Sequence, residues 1–119
     1  MSEIKYVLTI AEGRSFTGIG GMVKRLVHPT TCGSDKLGLS IAYLHPGEEF
    51  REHSHPWEEA YFFIQGKAFV TIEGCNEELI GEPGMIMYIP ADKKHYTKNI
   101  GNEPVVILCP VSPAPTTIL

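Results

Sequence analysis

His53 and His55 stand one residue apart, and Glu59 follows four residues later. Two imidazoles and a carboxylate at that spacing can be delivered to a single cation, with His95 further along the chain as a fourth candidate. In an extended strand, side chains two residues apart share a face and lie roughly 6.5–7 Å apart, so His53 and His55 can converge. Glu59 has the same parity, but on one uninterrupted strand it would lie roughly 20 Å from His53. The chain must therefore turn between them. Pro56 is placed to break the ladder, because proline lacks the donor a central strand needs. His55 is then expected to end one strand and Glu59 to begin the next. His95 lies forty residues beyond His55, so it can join the group only if the sheet folds back or closes.

The elements that must position these residues read as strands. Twelve glycines and nine prolines punctuate short β-branched and aromatic runs, and no long segment carries a helical period. Strands are expected over 4–10, 22–27, 37–44, 59–65, 68–72, 79–80, 85–89, 94–100 and 105–110. Between the first two lies a polar, glycine-rich loop, and 73–78 reads as a hairpin turn. The segment 110–119, with its three prolines, reads as an extended tail or edge arm. About eight to ten short strands at this spacing specify an all-β sandwich or barrel. A chain of 119 residues holds one domain, 1–119, with one core.

Composition narrows the function classes. A formal net charge of −4 with no Lys/Arg cluster excludes a phosphate-backbone footprint, so no nucleic-acid partner is expected. The apolar runs are strand-length, which excludes a membrane helix. The N-terminal segment shows no secretion signal. Three scattered cysteines, Cys32, Cys75 and Cys109, argue against a disulfide framework and read as small buried thiols of a cytoplasmic protein.

Two blocks resemble the paired motifs of the cupin superfamily. In 47–66, Gly47, His53, His55, Glu59 and Gly66 match the first motif position by position. In 84–99, Gly84, Pro90, His95 and Asn99 match the second, with Asp92 where the family usually carries glycine. Asp adopts left-handed backbone values more readily than most residues, so the turn can survive the change. The resemblance implies a double-stranded β-helix, or jelly-roll barrel. It also implies a divalent metal held by His53, His55, Glu59 and His95. Three imidazoles and one carboxylate suit Fe, Mn, Ni, Cu or Zn, and affinity order alone does not choose among them. If the metal is octahedral, two positions stay open for water, dioxygen or a chelating small-molecule substrate.

The function implied is a metal-dependent enzyme acting on a small oxygenated metabolite, of dioxygenase, decarboxylase or isomerase type. The alternative is a non-catalytic cupin module that binds or senses a small ligand. Small cupins of similar pattern pair as homodimers, here through a strand over 4–10.

Other residues compete for roles. Glu58 rivals Glu59 as the carboxylate, and motif spacing favours Glu59. Tyr61 and Phe63 share the parity of Glu59 and should face the interior, which makes Tyr61 a candidate donor near the site, with a core role as the plainer reading. Trp57 should rim the pocket or pack beneath a partner subunit. His28 and His45 both precede proline in turns and are expected at the surface. Lys93, Lys94 and Lys98 could attract an anion but read more simply as solvated.

Overall fold

The computed structural model describes residues 3–115. Its ten strands, all paired antiparallel, form two sheets. Strands β1 (Arg14–Phe16), β2 (Met22–Val27), β3 (Gly38–Leu44), β5 (Glu58–Gln65), β8 (Ile86–Ile89) and β10 (Val105–Ser112) make a six-stranded sheet in the order β1-β2-β3-β10-β5-β8. Strands β4 (Glu49–His53), β6 (Ala68–Ile72), β7 (Leu79–Gly81) and β9 (His95–Asn99) make the second, in the order β4-β9-β6-β7. This is the expected all-β jelly-roll barrel.

Alternation decides which residues fill it. Along β6, Ala68, Val70 and Ile72 are buried while Phe69 and Thr71 are not, the period of two that one covered face requires. Phe63, Leu44, Ile89, Ile107, Val70 and Val105 are fully enclosed between the sheets. Each such side chain contributes about 1.5–3 kcal/mol by leaving water.

Polar groups lock the turns that close this core. The Asn99 amide donates to the carbonyls of Leu44 at 2.9 Å and Glu103 at 2.8 Å, and its oxygen accepts from Gly101 N at 2.9 Å. The second-motif asparagine therefore ties β9 to β3 and to the turn before β10. Gly66 ends β5 at φ +88°, and a Cβ there would come within 2.7 Å of the Pro104 carbonyl oxygen. No other residue type meets both conditions.

The structure departs from the sequence reading in four places. Residues 4–9 form no strand, and 10–12 close a single 3-10 turn. β-branched side chains favour a pleated surface only where a neighbour supplies one, and here Ile4, Tyr6, Val7 and Ile10 are exposed. The glycine-rich loop instead contains β1, a short edge strand paired with β2. β4 ends at His53, so His55 lies in the connection to β5 rather than at the end of a strand. Finally, β10 continues through Pro110 to Ser112, and Val111 pairs with Glu59. The last four residues of the tail, 116–119, lie outside the described residues.

Candidate metal centre

The bend at Pro56–Trp57 carries the chain from one sheet to the other, and the site forms at that corner. His53 ends β4 and His95 begins β9, where the two are direct cross-strand partners. Glu59 projects from β5 of the opposite sheet, and His55 reaches in from the connection. The rings of His53 and His95 lie 4.3 Å apart, those of His55 and His95 4.9 Å, and those of His53 and His55 5.7 Å.

One local device orients all three imidazoles. The Nδ1 of His53 lies 2.7 Å from the Arg51 carbonyl oxygen, that of His55 2.9 Å from the Trp57 oxygen, and that of His95 2.9 Å from the Lys93 oxygen. A carbonyl only accepts, so each Nδ1 carries the proton and each Nε2 offers its lone pair inward. Backbone carbonyls in this role fix both tautomer and ring angle, the outer support that metal-bound histidine uses. Trp57, buried, stacks on His55 at 4.6 Å with an interplanar angle of 8° and covers its outer face.

The triad's ligand atoms all lie within 4.8 Å of one another. Two nitrogens on one ion stand at most about 4.2 Å apart, twice a metal–nitrogen bond, so the three histidines could hold a metal ion after a small inward closure. Glu59 Oε1 stands 3.2 Å from His55 Nε2 and 3.6 Å from His95 Nε2. Fully buried His95 has no hydrogen-bond partner at Nε2. An unsatisfied polar atom in such a place is unfavourable by about 1–3 kcal/mol unless something binds it, and a cation fits that need.

Electrostatics support the same arrangement. Burial lowers the pKa of His95 to about 4, with His53 and His55 adding to the effect and the Lys93 hydrogen bond opposing it. Burial also lowers His53. For His55 burial acts downward, but the hydrogen bond and charge of Glu59 outweigh it and the pKa rises. Glu59 thus favours a proton on His55 Nε2, in the space a cation would take. Two imidazoles that burial holds below their usual pKa and one that Glu59 raises form a donor set from which a divalent ion would compete with a single proton.

The neighbouring residues sort cleanly. Glu58 is exposed and accepts a hydrogen bond from the Tyr88 hydroxyl at 2.8 Å, so it points away from the triad. Tyr61 is buried, its ring 6.2 Å from that of His95, and both it and Trp57 line the cavity beside the histidines. Phe63 is buried below. Asp92 adopts φ +67°, the left-handed value expected in place of glycine, and its N–H donates to the His55 carbonyl at 2.7 Å. Lys93, Lys94 and Lys98 are solvent-exposed, and none lines the cavity. His45 is exposed as expected, but His28 is buried, which corrects its surface placement. Cys32 and Cys109 are buried free thiols, whereas Cys75 is exposed. Sequence reasoning missed Arg25 and Ser40, both buried on the cavity wall. The available signal was parity, since Arg25 alternates in phase with Val23 on β2.

Comparison with known proteins agrees with this architecture. Residues 40–111 match the family model described as a cupin domain. The chain is 32% identical over 101 residues to the polyketide synthase protein CurC of Streptomyces cyaneus, covering 82% of this chain and 64% of that protein. A structure of Bacillus subtilis oxalate decarboxylase, described for its Mn(II) centres, superposes with a TM-score of 0.79 at 26% identity, over 91% of this chain and 30% of that one. An RmlC-like cupin from Shewanella frigidimarina superposes with a TM-score of 0.78 over 98% of this chain and 97% of the other, and at 15% identity it speaks for the fold alone. Among the described residues no helix is long and apolar enough to cross a membrane.

Proposed function

The chain belongs to the cupin superfamily, and on that premise we propose that it is a metal-dependent enzyme acting on a small oxygenated metabolite. The observation that carries the reading is the convergence of three carbonyl-fixed imidazoles beside Glu59, with His95 Nε2 buried and unpartnered. His53, His55, His95 and Glu59 would hold the ion, which is Fe, Mn, Ni, Cu or Zn by the borderline character of the donors. Such an ion supplies Lewis-acid or redox chemistry to an oxygen of the bound molecule.

The chain's own residues do the rest. The three backbone carbonyls hold the rings in one tautomer. Trp57 and Phe50 screen the site from bulk water, and both are buried on the cavity wall. The Tyr61 phenol faces the same cavity, and burial, with Glu59 adding to it, raises its pKa well above the usual value, so it stays protonated as a donor for a substrate oxygen. The names of the relatives, a polyketide synthase protein and an oxalate decarboxylase, support oxygen-rich substrates without selecting a reaction.

The test is metal analysis of the purified protein, followed by turnover of oxalate, 1,3-diketones, catechols and uronates by Fe-, Mn-, Ni-, Cu- or Zn-loaded protein. Metal-dependent consumption of one of these, abolished in His95→Ala, is the expected result. Tight metal binding with no consumption of any would favour the non-catalytic module.

A cytoplasmic homodimer completes the proposal. With no strand over 4–9, its support shifts to the outward face of β5 and β8, where Phe62, Ile64, Ile86 and Tyr88 are all exposed. Contiguous apolar surface of this kind marks an interface. Light scattering that returned a monomer mass would remove the homodimer.

A further inference from the structure

Two strands of opposite sheets set matched pairs of side chains against each other across the barrel. On β9, His95 and Thr97 stand two residues apart, both pointing inward and both without solvent exposure. On β5, Glu59 and Tyr61 stand two residues apart and both line the cavity. The first rung between the sheets runs from His95 to Glu59, with Nε2 3.6 Å from Oε1. The second runs from Thr97 to Tyr61. Burial raises the Tyr61 pKa and the Thr97 hydroxyl opposes that rise, as a donor to the phenol oxygen does.

Both rungs end on an open atom. The buried side-chain atoms without a hydrogen-bond partner include His95 Nε2 and Thr97 Oγ1. In its own sheet Thr97 pairs with Phe50 and Val70, whose side chains accept no proton. A buried hydroxyl left open is unfavourable, and the acceptor facing Thr97 is the Tyr61 oxygen. The Tyr61 ring has little room to swing, because it stands T-shaped against Phe63 at 6.1 Å and against His95 at 6.2 Å. Closing the pair therefore falls to β9.

That strand is pinned at its far end, where the Asn99 side chain bonds the Leu44 and Glu103 carbonyls and Gly101 N. At its near end is His95. Ligand atoms at right or tetrahedral angles on one ion stand about 3.0–3.4 Å apart, given bonds of about 2.1 Å. A cation shared by His95 and Glu59 thus draws the first rung in, and Thr97 rides on the same strand.

We propose that Thr97 is a positioning residue for Tyr61, and that filling the metal site closes the Thr97–Tyr61 hydrogen bond. With the Thr97 hydroxyl as donor, the phenol oxygen accepts and the phenol's own proton is left to point into the cavity, toward an oxygen of the bound molecule. Tyr61 is thus aimed only when the site is filled. The inference rests on the metal-site reading, and the test separates the two.

Calorimetry with Zn(II) comes first, and wild-type protein that takes up no Zn(II) removes the metal site and this inference with it. Protein carrying 3-fluorotyrosine gives a fluorine resonance for Tyr61, identified by its loss in Tyr61→Phe. Zn(II) is expected to shift that resonance in the wild type and to leave it nearly unmoved in Thr97→Val, which keeps the shape and removes the hydroxyl. Zn(II) bound with no shift in the wild type, or with equal shifts in the two proteins, overturns the inference while the metal site stands. Thr97→Val and Tyr61→Phe should each weaken Zn(II) binding about three- to tenfold, as loss of one net hydrogen bond does, and the double variant no further than either single one. Losses that multiply in the double variant contradict a shared bond. Thr97→Ser keeps the hydroxyl and should bind within twofold of wild type; a serine variant as weak as the valine variant counts against the bond. If Thr97→Val does not fold, Thr97→Ala takes its place in both measurements.

Discussion

Two buried histidines in this molecule have opposite chemistry. At His28, Nδ1 accepts from the Thr30 backbone N–H at 3.1 Å and lies 2.8 Å from the Thr30 hydroxyl, while Nε2 donates to the Pro115 carbonyl at 2.5 Å. Both nitrogens are occupied, and the ring acts as a strut between the β2 end and the segment after β10. At His95 the tautomer is reversed. Nδ1 donates to Lys93, and Nε2 points, unpartnered, toward Glu59 and the other two imidazoles. Burial is nearly the same for both, so burial alone says nothing about function. Which nitrogen the backbone occupies decides whether a lone pair is left for a ligand.

The largest effect should come from removing that lone pair. His95→Ala is expected to weaken binding of Zn(II) or Co(II) at least about 100-fold by calorimetric titration, more than loss of an outer support commonly does. His28→Ala should change it less than twofold. Comparable losses in the two variants would erase the distinction.

Acid should expose the same contrast in metal-free protein. His95 has a native pKa of about 4 against an ordinary 6.5, so between those values the unfolded chain binds the extra proton. Stability attributable to His95 is therefore complete above about pH 6.5 and falls as the pH drops toward 4, by about 3 kcal/mol at most. His53, also lowered, acts in the same direction. His55, whose pKa is raised, opposes them, because its contribution is present at low pH and is lost as the pH rises through its native value. Urea denaturation at pH 7 and pH 4.5 should show a smaller difference for His95→Gln than for wild type, and an unchanged difference would contradict the burial argument.

A smaller effect is expected from the strut. His28→Ala leaves the Pro115 carbonyl and the Thr30 N–H without their partner, a loss of about 1–3 kcal/mol that a urea midpoint would read. The smallest concerns the site loop. Asp92→Gly relieves a left-handed residue while keeping the N–H that holds the His55 carbonyl. A stability gain of a few tenths to about 1 kcal/mol and unchanged metal affinity are expected. A large loss of affinity would mean that the Asp92 side chain supports the site.

The part of this picture legible in the sequence was the part governed by spacing. His53, His55, Glu59 and His95 could be named because each sits in a fixed motif, and the turn at Pro56 followed from distance alone. The alternation of β6 was equally plain. What escaped depended on partners distant in the chain. The run over 4–10 has strand composition but no neighbour to pair with, whereas Arg14–Phe16, polar and glycine-flanked, gains one in β2. His28 precedes proline and threonines and reads as a surface turn until the Pro115 carbonyl arrives from 87 residues away. No motif singles out Arg25, and its burial shows only once β2 is seen to turn the same face inward as Val23.

The corner at Pro56 also has a mechanical consequence. His53 and His95 belong to one sheet and Glu59 to the other, so a cation gripping all of them would act as a clasp across the mouth of the barrel. The grip adds stability in proportion to occupancy, about 4 kcal/mol when the free metal exceeds its dissociation constant a thousandfold. It also sets how far the two walls can spread apart. Metal supply would then govern the width of the entrance as well as the chemistry behind it, and the stripped protein would be the more permissive vessel.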